Sequence, residues 1–265
     1  MRRLLKPWGR DDLPAPFAAG SGEAVGEIWF DTPPSLETVL AKYLFTGERL
    51  SVQVHPRAEF SPTGIGKDEC WLVTGVQPGA RIALGFAAPA TTADIRAAAL
   101  DGTIEALMAW HEVEVGDFFY VPSGTVHSMG PGLTLLEIQQ NTDITYRLFD
   151  YGRPRELHLD EALRSIIAAP HPEALRHRVD PSCEAVLVDG DHFLLAQCIG
   201  RPSEALAQRL TGPVQVLPLE GACKIEGVPV PQGASGWASR LDLIDFSDAA
   251  RVALVVSPRL SQMRR

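Results

Sequence analysis

Cysteine is scarce in this sequence: Cys70, Cys183, Cys198 and Cys223 are the only four in 265 residues, and none forms a CxxC pair. That excludes a disulfide scaffold and a thiolate zinc finger. Long apolar runs are also missing. No stretch approaches 18 consecutive apolar residues, so no membrane-spanning helix is expected. The chain opens Met-Arg-Arg-Leu-Leu-Lys, but Pro7, Trp8, Gly9 and Arg10 follow, and the apolar segment of a secretory leader is absent. These features together lead us to expect a protein of the reducing cytoplasm. A basic excess is lacking as well, with 24 Lys+Arg against 33 Asp+Glu and a net charge of −9. A nucleic-acid partner is therefore not expected. A small anionic ligand stays open, because a local pocket can be basic inside an acidic protein.

What the sequence does have is punctuation. Its 23 Gly and 21 Pro fall between short apolar runs, the pattern of a mainly β protein. Strands are expected at 26–30, 49–55, 69–73, 81–86, 111–115, 117–121, 132–140 and 145–149. Helices are expected at 36–44 and in an Ala/Leu-rich insertion at about 91–110. A helical linker follows at 161–180, then a second strand-rich region at 181–265, with strands near 184–188, 192–198, 214–220, 222–225 and 252–256. The expected organisation is one β unit over 1–160, the linker, and a second β unit.

Polar residues interrupt the strands in a patterned way. In Leu50-Ser51-Val52-Gln53-Val54-His55 the two-residue period puts Ser51, Gln53 and His55 on one face. The same rule groups Lys67, Glu69 and Trp71. A Pro122-Ser123-Gly124 turn leads to His127, and Glu137 and Gln139 share a face of the 132–140 strand. Asp143 and Arg147 point the same way if the chain stays extended. Imidazole and carboxylate donors without thiolate suit Zn, Fe, Mn or Ni in an open, catalytic position.

His55, Glu69 and Pro122-x-Gly124-x-x-His127 resemble the metal motif of the cupin superfamily, whose members are double-stranded β-helix (jelly-roll) barrels. The wider words LSVQVHP, GKDECW, GDFFYVPSGTVH and PGLTLLEIQQNTDITYRLFDY are similar to those of short bacterial type I mannose-6-phosphate isomerases. Lys6-Pro7-Trp8-Gly9 and Gly26-Glu27-Ile28-Trp29 look like that family's opening segments, although Phe30 stands where an acidic residue is common. The resemblance is clear over roughly residues 5–155 and weak beyond. It implies a metal-dependent aldose–ketose isomerase interconverting mannose 6-phosphate and fructose 6-phosphate through a cis-enediol(ate). It implies one Zn ion per chain, held by Gln53, His55, Glu69 and His127. It assigns catalysis to Arg147, Asp143, Glu137 and Lys67, and contact with the phosphosugar to Ser51, Lys67 and Arg147, with Asp143 ahead of Glu137 as the proton-transfer base. The Pro231–Trp237 segment looks like a second cupin turn without ligands, so the second unit is expected to be a degenerate, metal-free barrel.

Plainer readings stand beside these. Gln53 could hydrogen-bond a ligand rather than ligate, Lys67 could be a solvated edge lysine, and Glu137 could orient a ligand. Asp143 and Arg147 could form a surface ion pair. His111, His158, His171, His177 and His192 are read as structural, Trp71 as core, and all four cysteines as small buried hydrophobes. A cupin metal-dependent oxidoreductase or dioxygenase, or a non-catalytic sugar-binding cupin, are the competing functions.

Overall fold

The computed structural model describes residues 1–18 and 22–256. The described residues divide into two units: 1–13, 22–29 and 41–178 form the first, and 14–18, 30–40 and 179–256 the second.

The first unit is built from β1 (Arg2–Arg10), β2 (Val25–Trp29), β3 (Val39–Phe45), β4 (Val52–Val54), β5 (Glu69–Val76), β6 (Arg81–Phe86), β7 (Met108–Glu112), β8 (Asp117–Val121), β9 (His127–Met129), β10 (Leu133–Gln140), β11 (Tyr146–Phe149) and β12 (Arg176–Arg178). One sheet runs in the order β1-β2-β3-β10-β5-β8-β12 and the other in the order β11-β4-β9-β6-β7. Neither sheet closes on itself, so the jelly roll is an open sandwich. Trp71, Val73, Leu133 and Leu135 of one sheet pack with Ile82, Leu84 and Met129 of the other to make its core.

Helices α1 (Thr92–Asp101), α2 (Ile104–Leu107) and α3 (Leu159–Ser165) cover the outer face of the smaller sheet. Thr91 caps α1, accepting from Asp94 N while Asp94 reaches back to Thr91 N, the reciprocal box that fixes a helix start. Val52 and Val54 face these helices beside Ile95 and Ala162. Strand period two then turns Gln53 to the opposite, inner face, which is how an apolar outer stripe aims a polar residue into the sandwich.

Several expectations changed. Residues 36–44 do not form a helix. A 3₁₀ turn at Pro34–Leu36 leads into β3, all seven residues of which are buried. A strand covered on both faces loses its alternation and cannot be told from a helix by periodicity. Residues 103–110 hold only the short α2 before β7 begins, because Ala83, Ile82 and Arg81 of β6 recruit Trp110, His111 and Glu112 as ladder partners. β1 was not expected at all, since Pro7, Gly9 and four basic residues disguise an edge strand. Residues 161–178 are not a free linker: α3 lies among the first unit's apolar side chains and β12 pairs with β8.

The second unit carries β13 (Ala185–Asp189), β14 (Leu194–Cys198), β15 (Val214–Ile225), β16 (Val228–Pro231), β17 (Gly236–Ala238), β18 (Ile244–Asp245), β19 (Ala249–Val256) and α4 (Glu204–Ala207). The expected strands 214–220 and 222–225 are one strand, kinked where Gly221 takes φ +79°. Its core gathers Ala196, Val214, Val216, Cys223, Val252 and Leu254. Cys70, Cys198 and Cys223 are buried and free as expected, but Cys183 is exposed, on a turn where Ser182 Oγ and Cys183 Sγ both donate to Asp180.

Candidate metal centre

Three turns and strand starts converge at one end of the sandwich. His55 follows β4, Glu69 opens β5 and His127 opens β9. Gln53 and His127 are direct cross-strand partners, as are Glu69 and Gln139. Asp68 fastens the pieces together: its carboxylate accepts from Ser123 N (2.9 Å), Ser123 Oγ (2.7 Å) and the Tyr120 hydroxyl (2.7 Å). The Pro122–Gly124 turn is thereby tied to the strand start carrying Lys67 and Glu69. Gly124 N also donates to His55 O at 2.8 Å, and Ile167 N to Gly124 O at 2.8 Å.

The donor atoms of His55, Glu69 and His127 all lie within 4.8 Å of one another, and all three residues are buried. His55 Nε2 is 3.4 Å from Glu69 Oε2, and His127 Nε2 is 3.7 Å from Glu69 Oε1. Tetrahedral donors placed ~2.1 Å from a shared ion stand about 3.4 Å apart, the His55–Glu69 separation, although His127 is nearer the other Glu69 oxygen. The tautomers fit as well. His55 Nδ1 donates to Ile144 O at 2.9 Å and His127 Nδ1 to Thr125 O at 3.0 Å, which leaves both Nε2 lone pairs facing the cluster. Burial lowers the pKa of both rings, helped at His55 by the Lys67 charge, so both are neutral and able to ligate. Burial pushes Glu69 up, but Lys67 and its other cationic neighbours outweigh that and hold it well below the usual carboxylate range.

Gln53 turns its amide nitrogen to His127 Nε2 at 3.1 Å, while its oxygen accepts from Ser51 Oγ at 2.9 Å. It offers oxygen to the cluster only with the carboxamide turned over, in which case Ser51 Oγ accepts from the nitrogen instead. Ser51 itself is fully buried behind Gln53 and does not line the cavity. Its hydroxyl braces Gln53.

The cluster forms the floor of a cavity of about 230 Å³. Lys67, Glu137, Asp143 and Arg147 all line it, Glu137 and Arg147 from strands and Lys67 and Asp143 from the loops that lead into β5 and β11. Asp143 and Arg147 make no ion pair with each other, and neither side chain has an ion-pair partner among the described residues. Burial, then the neighbouring Arg155, lowers the Arg147 pKa. Glu137 is raised to about 7, by burial first and the Glu69 charge second, against the pull of Lys42 and Lys67.

Sequence reasoning missed part of the wall. Lys42, Glu27, Lys6 and Arg155 also line the cavity. Lys42 is 3.1 Å from Glu137 Oε1 and 3.7 Å from Glu27 Oε1, and Lys6 is 3.2 Å from Glu27 Oε2. Burial alone would lower Lys42, but Glu137 and Glu27 more than offset it and keep the ammonium charged. A lone lysine in Val-Leu-Ala-Lys-Tyr-Leu-Phe was the available signal, hidden by reading that stretch as a helix. Trp71 is core, as expected, and also sets its ring edge against His127, with centroids 5.3 Å apart.

No protein-family model matches the chain. Among curated proteins it is similar to mannose-6-phosphate isomerase ManA of Bacillus subtilis (strain 168), 42% identical over 151 residues, covering 53% of this chain and 47% of that one. The mannose-6-phosphate isomerase of Streptococcus mutans serotype c is 37% identical over 146 residues, covering 52% and 46% respectively. The chain spans about half the length of the curated relatives it matches. Among solved structures, the mannose 6-phosphate isomerase from Bacillus subtilis superposes with a TM-score of 0.75 at 23% identity, covering 96% of this chain and 97% of that one. A point mutant of phosphomannose isomerase from Salmonella typhimurium gives 0.69 at 13% identity, covering 97% and 98%. The fold is that of these solved structures, and the similarity in sequence to the curated mannose-6-phosphate isomerases covers about half of this chain.

Proposed function

We propose that this protein is a metal-dependent aldose–ketose isomerase interconverting mannose 6-phosphate and fructose 6-phosphate. The observation that carries the reading is the pairing of a buried His–Glu–His floor with five cationic side chains, Lys6, Lys42, Lys67, Arg147 and Arg155, in the wall of one cavity. Lys6, Lys42 and Lys67 are ion-paired with Glu27, Glu137 and Glu69 of the same wall, and Arg155 with Asp150, so Arg147 is the cation left to meet the charge of a phosphosugar.

His55, Glu69 and His127, with Gln53 turned over, would hold one divalent ion, which we take to be Zn. Bound there, such an ion supplies Lewis acidity toward the substrate's carbonyl and hydroxyl oxygens. The remaining work falls to the chain. Isomerisation removes a proton from the carbon beside the carbonyl and returns one to the neighbouring carbon, with a second proton passing between the two oxygens. Asp143, whose carboxylate stands at the cavity without an ion-pair partner, carries the carbon-bound proton, a role typically worth ~10²–10⁴-fold in rate. Glu137 is held by Lys42 and, at 3.7 Å, Lys67, and serves to fix those ammonium groups against the substrate. Arg147, with no carboxylate of its own, meets negative charge on the enediolate or the phosphate. We further place the protein in the cytoplasm, where four free cysteines stay reduced.

The test is a coupled assay on purified protein, with metal analysis of the same sample. Conversion of mannose 6-phosphate to fructose 6-phosphate by a Zn-loaded sample is expected. A Zn-loaded sample inactive on every phosphorylated aldose would overturn the reading.

A further inference from the structure

One cation sits inside the donor set itself. Lys67 Nζ lies 2.8 Å from His55 Nε2 and 2.8 Å from Glu69 Oε2, with its side chain only 5% exposed. His55 Nδ1 is committed to Ile144 O, so Nε2 carries the ring's one free lone pair, and an ammonium N–H is aimed at it. A divalent ion ligated by His55 and Glu69 needs that same lone pair and that same carboxylate. The two demands are mutually exclusive at His55 Nε2, which has one lone pair, whereas the Glu69 carboxylate can serve both. An ammonium left beside a dication in a buried site is also repelled. The nearest alternative anion for Nζ is Glu137 Oε1 at 3.7 Å, and that carboxylate already stands 3.1 Å from Lys42. Glu137 can bridge two ammonium groups, since an ionised carboxylate offers about four lone-pair positions.

We propose that Lys67 is an exchangeable counter-cation of the metal centre: a divalent ion and the Lys67 ammonium compete for the His55 Nε2 lone pair, and metal entry turns the ammonium from His55 toward Glu137. The proposal rests on the metal-binding part of the functional reading and is independent of isomerase activity. Metal affinity is then set partly by a residue that ligates nothing. Metal loading also delivers a second ammonium to the cavity wall beside Lys42, where an anionic substrate would meet it.

Zinc titration of metal-stripped protein against a chromophoric chelator at fixed pH tests this. Lys67→Met should bind zinc at least about tenfold more tightly than wild type, because its internal competitor is gone, and Lys67→Arg should stay near the wild-type value. Should Lys67→Met fold poorly without metal, it is purified with zinc and the zinc-dependent rise in its thermal midpoint is measured. That rise should exceed the wild-type one. In crystals of the zinc-loaded wild type, Nζ should leave His55 and lie within hydrogen-bond distance of Glu137. Equal or weaker zinc affinity in Lys67→Met overturns the proposal, and so does an Nζ still bonded to His55 beside a bound zinc. A wild type that binds no divalent ion overturns both this and the metal reading. Tight zinc binding without isomerase activity overturns only the proposed reaction.

Discussion

Arg147 and Glu137 face the same cavity under opposite electrical conditions. Arg147 is a half-buried guanidinium that makes no close ion pair among the described residues; burial and Arg155 press on it, and the more distant Asp150 and Glu156 only partly offset them. Such a group is poised to take a substrate's negative charge. Arg147→Ala should therefore keep metal binding intact and lower kcat by about 10²-fold or more, the scale of losing one preorganised charge contact. Metal analysis beside steady-state kinetics checks it, and a near-wild-type rate would remove Arg147 from the chemistry. Glu137 is buried between two lysines yet raised to about 7 from an ordinary value of 4.5, mainly by burial and secondarily by Glu69. The folded protein then retains a proton at pH values where the unfolded chain has released it. Its contribution to stability is fully present below pH 4.5 and is lost as pH rises through 7. In metal-stripped protein, Glu137→Gln should flatten the fall in thermal midpoint across that window. An unchanged slope would show that other groups govern it.

Turns and strand ends, more than strand interiors, set the site. The Pro122–Gly124 turn holds Gly124 at φ +90°, a left-handed conformation that costs other residues about 1–3 kcal/mol. A Cβ there would also meet Ser165 O at 2.8 Å and Ile167 Cγ1 at 3.1 Å. Gly124→Ala should destabilise the first unit by at least that ~1–3 kcal/mol and loosen metal binding, because the same turn places His127 and donates from Ser123 N to Asp68. Denaturant unfolding and zinc titration of the variant measure the two effects. The alternating strand at 50–55 was legible because its outer face is apolar and its inner face is not. β3 was not legible, since burial on both faces erased its period, and Lys42 went unnoticed with it. Ser51 shows the limit of alternation: it shares a face with Gln53, but only packing decides that Gln53 fills the space in front of it.

On the scale of the molecule, a bound ion would link three chain segments far apart in sequence, at 53–55, 69 and 127. Chelation should accordingly lower stability as well as activity. With zinc at ~100-fold over its Kd, binding contributes about 2.7 kcal/mol, so stripping it should lower the first unit's thermal midpoint by roughly 5–10 °C. No change in midpoint on chelation would argue against a metal shared by these segments. The sequence by itself determined the β class, the donor types and their order, because these follow from residue chemistry, from period-two alternation and from turn residues of fixed preference. The tertiary structure decided which polar residues from different strands and turns meet. Lys42 joins Glu137 across neighbouring strands, Asp68 clasps the turn before His127, and Lys67 comes to rest within 2.8 Å of His55 and Glu69. Those contacts join residues from 2 to 95 positions apart, and spacing along the chain carries no information about distance across a sandwich until the sheets have packed.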